Sequence, residues 1–175
     1  IHVELFEPTK QRVLDQDAGV SIFGNWSRAA LMKSLRLRAD SDYGQNKFDY
    51  PFFPNKATKK HKNVVLRNSG GDFNQTMIHD AAIQMAVRHT DADYQDYQPC
   101  IVFINGEYWG LYNMREKINR HYLEDNHGVD KDSVDMVEAW GVNIVGTADF
   151  GAVHDQIMST NTADDAAFET VEKLF

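Results

Sequence analysis

The stretch IVFINGEYWGLYNMREKI, residues 101–118, constrains the fold more than any other part of the sequence. Two β-rich runs flank Asn105-Gly106, the strongest short signal for a type I′ turn, because both central residues take positive φ. An antiparallel hairpin is therefore expected here. Turn chemistry accounts for Asn-Gly but not for Tyr108, Trp109, Tyr112 and Glu116 crowding the second strand. Cross-strand ring packing is one explanation for the aromatics. Glu116 is a candidate site residue, because it sits where strand gives way to helix and such ends often border sites.

Other segments carry the periods of short elements. HVELF and GVSIF predict strands separated by a polar segment rich in Asp and Gln. In LMKSLRLRA, Leu31, Lys33, Leu35 and Leu37 alternate with Met32, Ser34, Arg36 and Arg38, which predicts a strand with the first four on one face. Residues 40–62, with Pro51 and Pro54, read as a surface loop holding a short hairpin. NVVLR at 63–67 predicts a further strand, stopped by NSGGD. From Phe73 to about His89 the apolar residues recur at helical spacing, with Asp72 or Asn74 marking the start. Pro99 closes an acidic, aromatic stretch. After the hairpin, a helix over 116–126 ends at Gly128, VDMVEA at 134–139 reads as a strand, and 149–159 and 164–175 read as helices. Strands dominate the first two thirds and helices the last, so the class is α+β, a mainly antiparallel sheet with packed helices.

Composition narrows the function. No apolar run approaches the ~18 residues of a membrane-spanning helix. The formal net charge of -8 argues against nucleic acid as a default partner. Basic residues nevertheless cluster in KSLRLR at 33–38 and KATKKHK at 56–62, the second read as a solvated loop. Cys100, alone and in the apolar context PCIVFI, reads as a small core residue. The chain opens directly on a strand pattern at Ile1 and ends in AAFETVEKLF without a capping Gly or Pro, so it is expected to be a piece of something longer.

Two sets of residues carry candidate chemistry. Lys33 either snorkels from its strand or holds phosphates, in the second case fixed by a carboxylate from a nearby helix, for which Asp80 is placed. GNWSR at 24–28 offers backbone N–H groups and the Ser27 hydroxyl to phosphates, although its single glycine meets neither the dinucleotide nor the Walker pattern. Other motifs carry less. Asp149-Phe150-Gly151 spells the kinase metal triplet, but no catalytic-loop motif precedes it and Asp149 reads as a helix N-cap. The acidic clusters at 91–96 and 130–135 lack the glycine and distal glutamate of a calcium loop. There is no HExxH, no cysteine-rich zinc pattern and no GxSxG elbow.

GNWSR…KSLRL, LRNSGGD…IHDA and NGEYWGLYNMREKI, in this order, resemble the spore coat protein H (CotH) kinase family from about Gly19 to Glu138. The resemblance implies an atypical protein-kinase-like fold, here the N-terminal lobe (1–115) plus the first helices of the second lobe (116–175). It also implies a secreted or envelope-associated protein that uses ATP with Mg or Mn to phosphorylate Ser or Thr, including on coat proteins. Non-catalytic surface or coat-assembly binding is the alternative. On this resemblance Lys33 would hold nucleotide phosphates with Asp80 as its partner, and Ser27 would lie in the phosphate-covering turn. Glu116 would end the strand lying along the adenine, and Arg67 and Asp72 would support the site. The family's metal-binding aspartates lie in a segment resembling N-x-D-W-x-x-N-N, which does not occur in these 175 residues. No catalytic residue is therefore assigned, the metal ligands are left open, and this piece alone is expected to be inactive.

Overall fold

A computed structural model describes residues 1–138, 142–146, 150–161 and 163–172. They fall into two compact units, Ile1–His127 and Gly128–Phe175. The class is α+β with antiparallel sheets and, among the described residues, four α-helices.

The first unit is built on a five-stranded sheet. Its strands are β3 (Gly19–Phe23), β4 (Ser34–Arg38), β7 (Asn63–Arg67), β8 (Tyr97–Ile104) and β9 (Glu107–Arg115), in the order β3-β4-β7-β9-β8 and antiparallel throughout. The hairpin forms as its turn chemistry requires, with φ of 53° at Asn105 and 82° at Gly106. A bulge between Val102 and Phe103 shifts the register, and the Phe103 ring meets Tyr108 edge-on at 5.9 Å across the pair. Tyr112 instead points into the core.

Alternation gives the sheet two distinct faces. Leu37, Val64, Leu66, Tyr112 and Met114 form one, packed with Leu14, Ala39, Phe48, Phe52 and Phe53 into the hydrophobic core. On the other face Arg36 lies opposite Val65 and Val65 opposite Arg115, with Arg67 next along β7. The helix α1 (His79–Ala86) reaches this second face through Asp80.

Three expectations need correction. The polar segment after the first strand is itself a strand: β1 (His2–Phe6) pairs with β2 (Arg12–Asp17), which buries Leu14 and Gln16. A glutamine on the inward face hides the apolar alternation. Residues 40–62 do contain a hairpin, β5 (Phe48–Asp49) with β6 (Lys60–His61), but the segment is no surface loop. Its Phe48, Phe52 and Phe53 fill the core beneath the sheet, and His61 stacks edge-on against both Phe52 and Phe53. The strand expected from Leu31 begins only at Ser34, because β3 ends at Phe23, the residue opposite Ser34, and offers no ladder beyond it. Leu31 is 95% exposed, so it shares no face with Leu35 and Leu37.

The helix α2 (Arg120–His127) closes the first unit. Asn119 Oδ1 caps it by accepting from the His121 and Tyr122 N–H groups, and Gly128 follows at φ 69°. The second unit holds the hairpin β10 (Met136–Glu138) with β11 (Val142–Val145), then α3 (Phe150–Ser159) and α4 (Asp165–Glu172). Asp149, expected as a helix cap, lies outside the described residues.

Candidate functional site

The NSGGD segment after β7 is held by a buried polar network. Ser34 Oγ donates to Asn68 Oδ1 at 2.8 Å and accepts from the Asn68 N–H at 2.9 Å. Asn68 Nδ2 donates to the Met32 carbonyl at 2.5 Å. Asn113 Nδ2 donates to Ser69 Oγ and to the Met77 carbonyl, at 2.9 and 2.7 Å. Ser34, Asn68, Ser69 and Asn113 are all buried, and this pairing is what lets polar groups stay inside. Ser69 and Met77 are held at positive φ, 67° and 60°, so the chain turns sharply before the helix.

Those turns displace the helix start. The expected helix from Phe73 begins at His79, and Asp72 serves its first turn from a distance, its Oδ2 accepting from the His79 N–H at 3.0 Å. Hydrogen bonds from Thr76 and His79 hold the Asp72 carboxyl below its ordinary pKa.

So placed, α1 sets Asp80 over the arginine face. Asp80 Oδ2 lies 2.9 Å from Arg67 Nε and accepts from Arg115 Nη1 at 3.0 Å. The Arg67 contact is ionic only, since its Nε–H is not aligned for a hydrogen bond. Arg115 is 1% exposed at its side chain, whereas Arg67 and Asp80 are 33% and 34% exposed. Burial pulls the Arg115 guanidinium below its usual pKa, and Arg67 adds to that pull while Asp80 opposes it.

The other candidates lie in two further places. Lys33 and Ser27 sit on the connection between β3 and β4. Lys33 Nζ donates to the Arg28 carbonyl at 2.6 Å, so Lys33 and Asp80 do not form the expected pair. Ser27 belongs to a 3-10 turn, Trp26–Ala29, and its hydroxyl fills the space that a Cβ at Gly24 would take. Met32, anchored through its carbonyl to Asn68, ties this connection to the arginine end of the sheet.

Glu116 follows the last residue of β9 and is enclosed. Its carboxylate accepts from the Asp96 N–H at 3.1 Å and lies 3.5 Å from Lys56 Nζ. Burial pushes its pKa up against these two partners. Lys56 and Glu116 are only 9% and 4% exposed, and the ammonium rests over the Tyr94 ring at 3.9 Å and near Tyr122. Lys56 thus departs from the solvated reading of KATKKHK. No local pattern marked it, because its partners come from segments far along the chain.

Among the described residues, His2, Glu4 and Asp15 alone gather three ligand atoms closely enough for a metal. All are exposed, and Arg12 already neutralises Glu4 and Asp15 at 2.6 and 2.8 Å. Cys100 is pushed up to about 12 by burial and packs against the core, so it is inert as a nucleophile.

No curated protein and no solved structure matches the chain. Residues 20–173 match the family described as CotH kinase protein. That match spans most of the sequence, from β3 into the last residues, and the chain belongs to the CotH kinase family.

Proposed function

We propose that this chain is the nucleotide-binding portion of a secreted or envelope-associated CotH-type protein Ser/Thr kinase, acting with ATP and Mg or Mn on a protein such as a coat or surface protein. The observation that supports this is the Arg67–Asp80–Arg115 cluster. A half-exposed cation on a central strand is held by a carboxylate from the helix packed over it, the arrangement a phosphate-binding cation needs. The residues fit a polyphosphate, because three guanidiniums share one face and three of their Nε atoms are buried without a hydrogen bond. ATP would supply the transferable phosphoryl group. Arg67 would bind it, Asp80 would orient Arg67, and Ser27 and Lys33 would lie at the same end of the sheet. Glu116 would anchor the junction beyond β9 through Lys56 rather than offer its carboxylate to a ligand. The metal ligands stay unassigned, and this piece alone is read as binding nucleotide without transferring phosphate.

Calorimetric titration with ATP, with and without Mg²⁺ or Mn²⁺, tests this reading on the wild type and Arg67→Ala. Heat of binding that Arg67→Ala abolishes supports it, and a wild type silent to ATP under every metal condition refutes it. For the full-length protein the matching test is metal-dependent autophosphorylation, wild type beside Arg67→Ala.

A second reading, a non-catalytic surface or coat-assembly binding module, is favoured by one feature. Ile101, Phe103, Tyr108, Trp109 and Leu111 leave the hairpin with exposed apolar side chains. Retention of a protein ligand by a wild type that does not bind ATP would select it.

A further inference from the structure

The geometry points to Arg36, Arg67 and Arg115 as one polyphosphate-binding face, with Arg36 as the member left open for the ligand. This rests on the nucleotide reading above and names which side chains hold the phosphates. Arg36, Val65 and Arg115 form a single row across β4, β7 and β9, and Arg67 is the next residue of β7 on that face. Diagonal neighbours in a sheet stand ~7–8 Å apart, within reach of arginine side chains. The three guanidiniums therefore surround Val65, which is itself buried and gives the face an apolar floor.

Charge does not balance on this face: of three guanidiniums two meet Asp80 directly, with buried Asp96 acting on Arg115 from farther off. Asp80 is the only acid on α1, and one oxygen of it serves both Arg67 and Arg115. Arg38, one step further along β4, has its own partner in Asp40 at 3.2 Å. Among the described residues no carboxylate lies within ion-pair distance of Arg36, and its Nε is buried with no hydrogen-bond partner. This chain carries 26 acidic side chains against 18 Lys and Arg, so acids to neutralise Arg36 are plentiful. An arginine half-buried beside two others and left without a carboxylate fits an anion supplied from outside. Arginine presents a fork of donors that meets phosphate oxygens in pairs, which a lysine such as Lys33 does not.

The test compares wild type, Arg36→Ala, Arg36→Gln and Lys33→Ala by calorimetry with ATP, inorganic tripolyphosphate and adenosine, with thermal melts of each variant. The proposal expects wild type to bind ATP and tripolyphosphate. Both Arg36 variants should lose about tenfold or more in affinity for each, at an unchanged melting temperature. Lys33→Ala should change affinity less. Wild-type affinity for ATP in a folded Arg36→Gln protein would overturn the arginine face while leaving the nucleotide reading intact. Binding of tripolyphosphate but not ATP, lost in Arg36→Gln, would uphold the face and refute the nucleotide reading. Binding of neither anion by wild type would refute both.

Discussion

Asp80 Oδ2 stands 3.0 Å from Nη1 of Arg115, a guanidinium that is 1% exposed, and the same oxygen stands 2.9 Å from Arg67. One carboxylate thus fixes the first helix to two neighbouring strands. Asp80→Ala would leave Arg115 buried beside Arg67 with only the more distant Asp96 charge and a 3.4 Å hydrogen bond to Gln95 Oε1 to offset their repulsion. Breaking a buried pair costs ~3–5 kcal/mol, and the partial exposure of Asp80 puts the expected loss nearer ~2 kcal/mol. Urea denaturation measures it, and a variant as stable as wild type would contradict the role given to Asp80.

The Lys56–Glu116 pair predicts a pH signature. Burial raises the folded pKa of Glu116, so its charged form is disfavoured in the folded state. A carboxyl raised in this way favours folding most below its unfolded value, and that advantage fades as pH rises through the folded value. Lys56→Met removes the cation that opposes the rise, so the variant should lose ~3 kcal/mol at pH 7 and visibly less near pH 4.5. Denaturation curves at the two pH values decide it. A loss independent of pH would place the cost in packing over Tyr94 instead.

Gly24 takes φ 108° and leaves the space that Ser27 Oγ fills. Gly24→Ala therefore meets both a strained backbone and a clash, with an expected cost of ~1–3 kcal/mol. Adding Ser27→Ala relieves the clash and not the strain. The double variant should recover only part of the stability, which a thermal melt series would show. Full recovery would mean that the φ value carries no cost.

Asn68→Ala removes the centre of the buried polar network. Ser34 Oγ and the Met32 carbonyl would each lose a partner, with ~1–3 kcal/mol expected for a buried group left unpaired. Hydrogen exchange should quicken in the Gly70–Asp72 turn and at the start of α1, while the β1–β2 hairpin should keep its protection. Uniform loss across the first unit would instead indicate global destabilisation.

Local chemistry made the β8–β9 hairpin legible, since Asn105 and Gly106 specify their turn without help from the rest of the chain. The Gly128 helix end was legible for the same reason. The start of α1 was not: Met77 and Ile78 fit a helical period, yet Met77 sits at φ 60° because Ser69 and Asn113 bind its carbonyl. Arg67 and Asp80 were both visible as candidates, but not their pairing, which depends on where the turn sets the helix down. Lys56 was hidden altogether. The resemblance supplied the family, and the geometry replaced Lys33 with Arg67 as the strand cation that Asp80 holds.

The Lys56–Glu116 pair has a kinetic side as well. It joins a residue between two short strands to the end of β9, with Tyr122 of α2 closing the cluster, so three separated segments must all be in place before the ammonium is enclosed. An enclosed ion pair that needs all three segments in place is expected to form on the native side of the folding barrier. Lys56→Met should accordingly speed unfolding and leave the refolding rate nearly unchanged in a stopped-flow chevron. The pair then acts as a latch on the finished unit, setting how long it stays folded rather than how fast it gets there.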